Sequence, residues 1–203
     1  APFFQVDPEK DVVTFDKKIL HFSEHVYYVI NKPAGYVCAV SDKYDPVIID
    51  LIPEKHERLY PVGRLDRESE GLLILTNDGN FTQSVLHPSK EIHKEYEALL
   101  NIPINDKQLE RWRRGFEITE GRRVAPISIS VMKKEPVNQW ISVTIAEGLK
   151  REIRLMAKQA GFNVKRLIRR KIGKMTLEKL NPGEFVRLSF SGLSTKIFEG
   201  GAV

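Results

Sequence analysis

An uninterrupted apolar run at residues 72–75, Leu-Leu-Ile-Leu, constrains the fold more than any other feature of the sequence. It follows Gly71 and ends at an Asn-Asp-Gly turn at residues 77–79, so it predicts a short, fully buried strand. Densely charged residues precede it, and among them Asp66 stands between Arg64 and Arg67. The position of an acid directly ahead of a buried strand is therefore the first feature to explain.

The remaining segments predict several strands and few helices. Strands are predicted at 26–31, 94–100, 127–131, 141–145, 164–172 and 185–190, and helices near 81–86, 105–114 and 149–160. Two of these strands, 127–131 and 141–145, are predicted to be antiparallel neighbours joined by a loop around Pro136. Runs of strands with few intervening helices favour an α+β fold on a mixed, mostly antiparallel β-sheet flanked by helices.

Composition narrows the classes of function. The 203 residues include one cysteine, Cys38, which excludes an internal disulfide and a zinc-binding cysteine cluster, and the five histidines show no metal-ligand spacing. We therefore expect no metal. No apolar run is long enough to span a membrane, and residues 1–11 do not have the order of a signal peptide, so a cytoplasmic protein is expected.

Basic residues are concentrated in one segment. The net charge is +5, and residues 150–174 contain ten lysines and arginines against the single acid Glu152. Such a segment attracts polyanions, because Lys and Arg contacts to phosphate supply most sequence-independent affinity for nucleic acids. By composition alone, a solvated charged face is an equally good interpretation.

Four ordered motifs resemble those of the RNA pseudouridine synthases, in particular the RsuA-type branch that acts on ribosomal RNA. They are NKPAG at 31–35, GRLDRESEGLLILTNDG at 63–79, HKEYEALL at 93–100 and AEGLKREIRLMAKQAGFNVKRLIR at 146–169. The resemblance extends over about residues 26–188. It implies a pseudouridine synthase fold with a central catalytic cleft, isomerisation of a uridine in ribosomal RNA to pseudouridine, and no cofactor.

The resemblance assigns catalytic roles to three residues. Asp66 matches the indispensable aspartate, which either attacks the ribose carbon that bears the base or assists elimination to a glycal; a carboxylate suits both routes when adjacent positive charge favours its ionised form. Arg154 matches the arginine that pairs with it, and a planar guanidinium can bind a carboxylate bidentately. Tyr96 matches a tyrosine that packs beneath the target base. The residues alone leave other interpretations open. Asp66 could form a surface ion pair with Arg67, Arg154 could be one basic residue among many on a helix face, and Tyr96 could be a core aromatic.

Further residues are expected to bind or shape the site for RNA. They are Arg64, Lys94, Asn31, Lys32, Lys150 and Arg151. Arg64 matches an arginine that keeps the target nucleotide out of its helix, Lys94 shares a face with Tyr96, and the last two belong to the basic segment. Where the family frequently has glutamine and arginine, this chain has Glu152 and Leu155, which puts local RNA contacts in doubt.

The predicted domain organisation has three parts. Residues 1–22 are predicted as the remnant of an N-terminal alpha-L RNA-binding domain or a linker, and residues 23–190 as the catalytic domain, either as one body or as two lobes meeting at the cleft. Residues 191–203 are predicted as a C-terminal tail. The remnant reflects either a chain trimmed to its catalytic part, which we favour, or a natural lack of that domain. A monomer is expected, because the sequence shows no heptad repeat and no long apolar edge.

Two other classes of function compete with the isomerase. A non-catalytic RNA-binding or ribosome-assembly factor could keep the fold, but simple binding does not need Asp66, Tyr96 and Arg154 together. A glycosidic hydrolase could use an arginine-flanked acid, but it would require a second essential carboxylate and would release uracil.

Overall fold

The structure, a computed structural model, describes residues 6–7, 10–20, 24–54, 58–119, 121–134 and 137–198. The strands in these ranges are β1 Val13–Phe15, β2 Lys18–Leu20, β3 Tyr27–Lys32, β4 Tyr60–Val62, β5 Glu70–Thr76, β6 Lys94–Leu100, β7 Phe116–Thr119, β8 Arg122–Val124, β9 Ser128–Lys134, β10 Gln139–Ile145, β11 Val164–Ile172, β12 Met175–Thr176 and β13 Phe185–Leu188. The α-helices are α1 Gly79–Leu86, α2 Asp106–Arg113, α3 Glu152–Gln159 and α4 Phe190–Ile197, and short 3₁₀ helices occupy Ile48–Leu51 and Pro88–Lys90.

Nine of the described strands form one sheet. Its main path runs β13-β3-β5-β11-β6-β10-β9, with β4 beside β5 and β12 beside β11. β5 and β11 pair in parallel, and the other described neighbours pair antiparallel. β9 and β10 are antiparallel neighbours as expected, although Pro136 in their connection lies outside the described residues. The predicted mixed, mostly antiparallel sheet flanked by helices is confirmed.

The apolar run in β5 is buried on both faces. Leu72 and Ile74 pack in one cluster with side chains of α1 and α4, whereas Leu73 and Leu75 pack in another with β3 and the first 3₁₀ helix. All four side chains are inaccessible to solvent. This two-sided cover explains why the run shows no polar alternation.

Helices α2 and α3 cover the other half of the sheet. The side chains of Tyr96, Ala98 and Leu100 alternate into a core cluster that contains residues of both helices. Asn105 caps α2 in a reciprocal capping box, which confirms the predicted start of that helix. α3 begins later than predicted, at Glu152, because Arg151 adopts a left-handed conformation with φ 58°.

The two halves of the sheet meet at a narrow junction. β5 and β11 pair only through Glu70 with Ile168 and Gly71 with Arg169. A Cβ atom on Gly71 would lie 2.3 Å from the Arg169 carbonyl oxygen, and Gly71 has φ 108°, so this close approach requires glycine. The loop that contains Asp66 directly precedes this junction.

The C-terminal part differs from the prediction. The last strand ends at Leu188 instead of Phe190, because Ser189 accepts a hydrogen bond from Gly192 N–H and caps α4. Residues 190–197, most of which were expected in a tail, thus form a helix whose Leu193 and Ile197 are buried.

The predicted N-terminal remnant, residues 1–22, contains β1 and β2, which pair antiparallel with each other. Residues 1–5, 8–9 and 21–23 lie outside the described part of the chain. The proposed domain boundaries stay a prediction. No helix within the described ranges is both long and apolar enough to cross a membrane.

Candidate active site

The loop that carries Asp66 is fixed from beneath by a buried lysine. The Lys32 ammonium group, at the end of β3, donates to the carbonyl oxygens of Pro33, Arg67 and Ser69 at 3.0, 3.3 and 2.7 Å. The side chain is fully buried, and burial lowers its pKa. Lys32 therefore holds the turn after Asp66 rather than facing the cleft.

Asp66 lies among two arginines and a second acid. Its Oδ2 atom is 3.6 Å from Arg151 Nη1 and 3.9 Å from Arg154 Nε, and 26% of its side chain is exposed. Glu68 Oε1 lies closer to both, at 2.6 Å from Arg151 Nη1 and 3.6 Å from Arg154 Nε. The predicted approach of Arg154 to Asp66 within ion-pair reach is confirmed. Arg67 instead pairs with Asp45 at 2.9 Å, so the alternative surface pair of Asp66 with Arg67 is not formed.

Arg154 does not bind Asp66 bidentately. Its Nη1 donates to the Val164 carbonyl at 2.8 Å, and Nη2 donates to Ser69 Oγ at 3.4 Å. Nε is buried and has no hydrogen-bond partner among the described residues. The guanidinium is thus fixed by neutral groups, and its Nε lies 3.9 Å from Asp66 Oδ2 and 3.6 Å from Glu68 Oε1.

Burial and neighbouring charges shift the pKa values of three residues of this cluster. The hydrogen bond to Glu68 raises the pKa of Arg151. Burial alone would raise the pKa of Glu68, but the hydrogen bond from Arg151 and the charge of Arg154 outweigh it, so the pKa is lowered. Burial lowers the pKa of Arg154, while Glu68 and Asp66 oppose that shift. The cluster therefore favours the ionised form of Glu68 beside Arg151 and Arg154.

Tyr96 is only 7% exposed and belongs to the core cluster beneath α2 and α3, and it contacts an arginine that the sequence analysis did not assign to the site. Arg169, the cross-strand neighbour of Tyr96, donates from Nη1 to the Tyr96 hydroxyl at 3.5 Å and from Nε to the Leu72 carbonyl at 2.7 Å. Its side chain is buried, yet Nη2 has no partner among the described residues. The alternation of side chains along β11 could have indicated that Arg169 is buried, because Leu167 and Arg169 share a face opposite Arg166.

Lys94 begins the strand that carries Tyr96. Its ammonium group donates to the carbonyl oxygens of Ala146 and Glu147 at 3.1 and 3.2 Å. Burial and then the charge of Arg169 lower its pKa. Lys94 thus fixes the loop ahead of α3, which carries Lys150 and Arg151.

The other predicted binding residues divide into exposed and buried. Arg64 and Lys150 are exposed. Asn31 is buried and donates from Nδ2 to the Leu180 carbonyl at 2.7 Å. Glu152 is 4% exposed and accepts a hydrogen bond from Leu149 N–H at 2.9 Å, and burial raises its pKa. Glu152 is therefore a buried residue that fixes the backbone at Leu149, and it is not exposed to solvent as Arg151 is.

The basic segment 150–174 is not one continuous surface. Its strand residues on the sheet face opposite Tyr96 form ion pairs with acids of neighbouring strands, Arg166 with Glu70 at 2.7 Å, Arg170 with Glu97 at 2.8 Å and Lys171 with Glu95 at 2.8 Å. We call these six residues the outer-face pairs. After the catalytic cleft that the motifs imply, we call Asp66, Tyr96, Arg154 and Arg169 the cleft residues. Among the described residues of the segment, Lys150, Lys158 and Lys165 are exposed and form no ion pair with an acid.

Within the described ranges, no group of three or more His, Cys, Asp and Glu side chains could hold a metal ion. The candidate chemistry is that of a carboxylate held beside guanidinium groups.

Comparison with known proteins identifies the family. The family model described as RNA pseudouridylate synthase matches residues 26–159, which include Asp66, Tyr96 and Arg154. The chain belongs to the RNA pseudouridine synthases. An uncharacterised RNA pseudouridine synthase of Aquifex aeolicus is 37% identical over 187 residues, which cover 91% of this chain and 75% of that protein. The ribosomal large subunit pseudouridine synthase E of Vibrio vulnificus is 34% identical, covering 85% of this chain and 79% of that protein.

The solved structures give the same result. A crystal structure of a pseudouridylate synthase superposes with a TM-score of 0.74 at 28% identity, over 96% of this chain and 83% of the other. The sheet and its four helices thus form the pseudouridine synthase fold, as expected from the motifs. The protein is an RNA pseudouridine synthase, and the cleft residues are its candidate active site.

Proposed function

We propose that this RNA pseudouridine synthase isomerises one uridine of ribosomal RNA and that Asp66 is its catalytic group. The observation that carries the proposal is the partly exposed Asp66 carboxylate, held on a loop fixed by Lys32 and facing Arg151 and Arg154 at 3.6 and 3.9 Å. Preorganised charge of this kind stabilises an ionised nucleophile without reorganisation during the reaction.

The reaction breaks the bond between ribose carbon 1′ and uracil N1 and forms one from carbon 1′ to uracil carbon 5. The proton on carbon 5 is lost to water, and N1 gains a proton. Asp66 either attacks carbon 1′ or assists elimination to a glycal. In the second route Tyr96, whose hydroxyl is held by Arg169, is the candidate base for the carbon 2′ proton.

The target must be unpaired or flipped, because a uracil stacked in a helix cannot reach a carboxylate in a cleft. The Vibrio vulnificus relative is named for the large ribosomal subunit, and we propose large-subunit RNA as the substrate here too. The exposed Arg64, Lys150 and Arg151 are the candidate contacts to its backbone.

Tritium release tests this proposal. The protein is incubated with unmodified large-subunit ribosomal RNA carrying tritium at uracil carbon 5, beside the Asp66→Asn variant. The wild type is expected to release tritium to water and to leave the RNA mass unchanged, whereas the variant loses activity by roughly 10⁴-fold or more while binding RNA.

Three results would contradict it. Release by Asp66→Asn at the wild-type rate would remove Asp66 from catalysis. Free uracil among the products would indicate a hydrolase. RNA binding without any release by the wild type, on both large- and small-subunit RNA, would favour a non-catalytic binding factor.

A further inference from the structure

Residues 38–46 form a projecting loop with a closed base. The Val37 N–H donates to the Pro46 carbonyl, and the Ile48 N–H donates to the Val37 carbonyl, both at 3.0 Å. Val47 and Ile48 are buried directly after it, whereas residues 40–44 are exposed. The base is therefore anchored in the core, and the tip projects into solvent.

This loop is attached to the Asp66 loop on both sides of the carboxylate. Ahead of Asp66, the Leu65 N–H donates to Cys38 Sγ at 3.3 Å. After it, Arg67 Nε pairs with Asp45 Oδ1 at 2.9 Å. Because both flanks are tied to the projecting loop, the position of its tip is fixed relative to the candidate catalytic group.

The tip presents an aromatic ring that is largely exposed to solvent. Tyr44 is 84% exposed, and its ring contacts the Lys43 ammonium, 5.3 Å from the ring centroid. Asp42 Oδ1 accepts the N–H groups of Tyr44 and Asp45, each at 2.9 Å. These bonds fix the backbone as an Asx turn, so the ring is presented from a defined position.

We propose that Tyr44 is a stacking platform for an unpaired base adjacent to the target uridine, with Lys43 beside it as a contact to phosphate. A uridine drawn out of its helix leaves neighbouring bases without a stacking partner, and an aromatic face replaces that partner regardless of base identity. The assignment rests on the proposed RNA substrate, and it adds a specific subsite outside the four family motifs.

The test is RNA affinity measured in the Asp66→Asn background, where the substrate is not consumed. The probe is the large-subunit ribosomal RNA fragment that this variant binds most tightly. Adding Tyr44→Ala is expected to raise the Kd about tenfold, which corresponds to about 1.4 kcal/mol. Tyr44→Phe and Tyr44→Trp are expected to keep the affinity within about twofold. Val40→Ala is the matched control, because Val40 is also exposed on this loop but offers no flat ring.

An abasic substitution tests the base itself. Abasic sites are introduced one at a time beside the bound uridine, and at one position the loss of affinity caused by Tyr44→Ala is expected to vanish. Unchanged affinity in Tyr44→Ala would overturn the proposal, and so would an equal loss in Tyr44→Trp. If the wild type releases no tritium but Tyr44→Ala still weakens RNA binding, the proposed reaction fails and the stacking site stands.

Discussion

The two sides of strand β11 carry arginines in opposite situations. On the outer face, Arg166 donates from Nε and Nη2 to the two carboxylate oxygens of Glu70, at 2.7 and 2.8 Å. On the cleft side, Arg169 has no ion-pair partner among the described residues, and its buried Nη2 is unbonded there. Alternation along one strand thus separates arginines that lie beside a carboxylate from one that does not. Arg170 on the outer face also has a buried Nε without a hydrogen bond among the described residues, but this atom lies 2.8 Å from Glu97 Oε2.

The cleft arginines lack the close carboxylate contacts, at 2.7 and 2.8 Å, that Arg166 and Arg170 make on the outer face. Arg154 Nε is also buried without a hydrogen bond and approaches Asp66 and Glu68 only to 3.9 and 3.6 Å. A buried N–H without a partner costs free energy, and such costs are concentrated at functional sites. We infer that the outer-face pairs keep the sheet intact, while the cleft arginines are arranged for catalysis. Substitutions on the two sides should therefore separate activity from stability.

The largest effect is expected for Arg154→Met. Removing this cation from beside Asp66 should lower the single-turnover rate of tritium release by roughly 10²–10³-fold, the usual cost of one electrostatic contact to a reacting group. RNA affinity in the Asp66→Asn background should change by less than about threefold. Arg154→Lys should restore little of the lost rate, because a lysine ammonium cannot bond both Val164 and Ser69 as the planar guanidinium does. A rate within twofold of the wild type would remove Arg154 from the site.

A smaller loss is expected for Arg169→Met. Without its donor, the Tyr96 hydroxyl is no longer positioned, and kcat should fall about tenfold with KM for RNA unchanged. The free energy of unfolding in urea should change by less than about 2 kcal/mol, because the side chain donates only two hydrogen bonds and has one unbonded group. If Arg169 is only structural, stability will fall and kcat will not. Partial rescue by Arg169→Lys would support the positioning role.

The sequence predicts the strands and the approach of Arg154 to Asp66 better than it predicts the other side-chain partners. β5 was predictable because its apolar run is unbroken, and the approach of Arg154 to Asp66 followed from matching motifs. Arg169 was missed because charge runs look uniform in a sequence, whereas a strand sends successive residues to opposite faces. The three bonds of Lys32 could not be predicted either, since they depend on where backbone carbonyls of residues 33, 67 and 69 converge.

The pKa values of two buried or partly buried glutamates shift in opposite directions. Burial raises the pKa of Glu152, whereas the hydrogen bond from Arg166 lowers that of Glu70. A raised folded pKa penalises the folded state once pH rises above the unfolded value of 4.5, and the penalty is complete above the folded pKa. Glu152→Gln keeps an acceptor for Leu149 N–H and should stabilise the fold by about 1 kcal/mol at pH 8. Urea unfolding at several pH values checks this. The gain should vanish at pH 4, and a gain independent of pH would contradict the buried-charge account.

The smallest effect is expected for Arg166→Met on the outer face. A partly exposed ion pair contributes about 1 kcal/mol or less, so the free energy of unfolding at pH 7 should fall by no more than that. Because the pKa of Glu70 is depressed in the folded state, the pair stabilises the fold above pH 4.5, and this contribution is lost as pH falls through the folded pKa. Wild type and variant should therefore converge in stability at low pH, and their rates of tritium release should agree within twofold. A rate loss comparable to that of Arg154→Met would mean that the outer face of β11 contributes to catalysis as well as to stability.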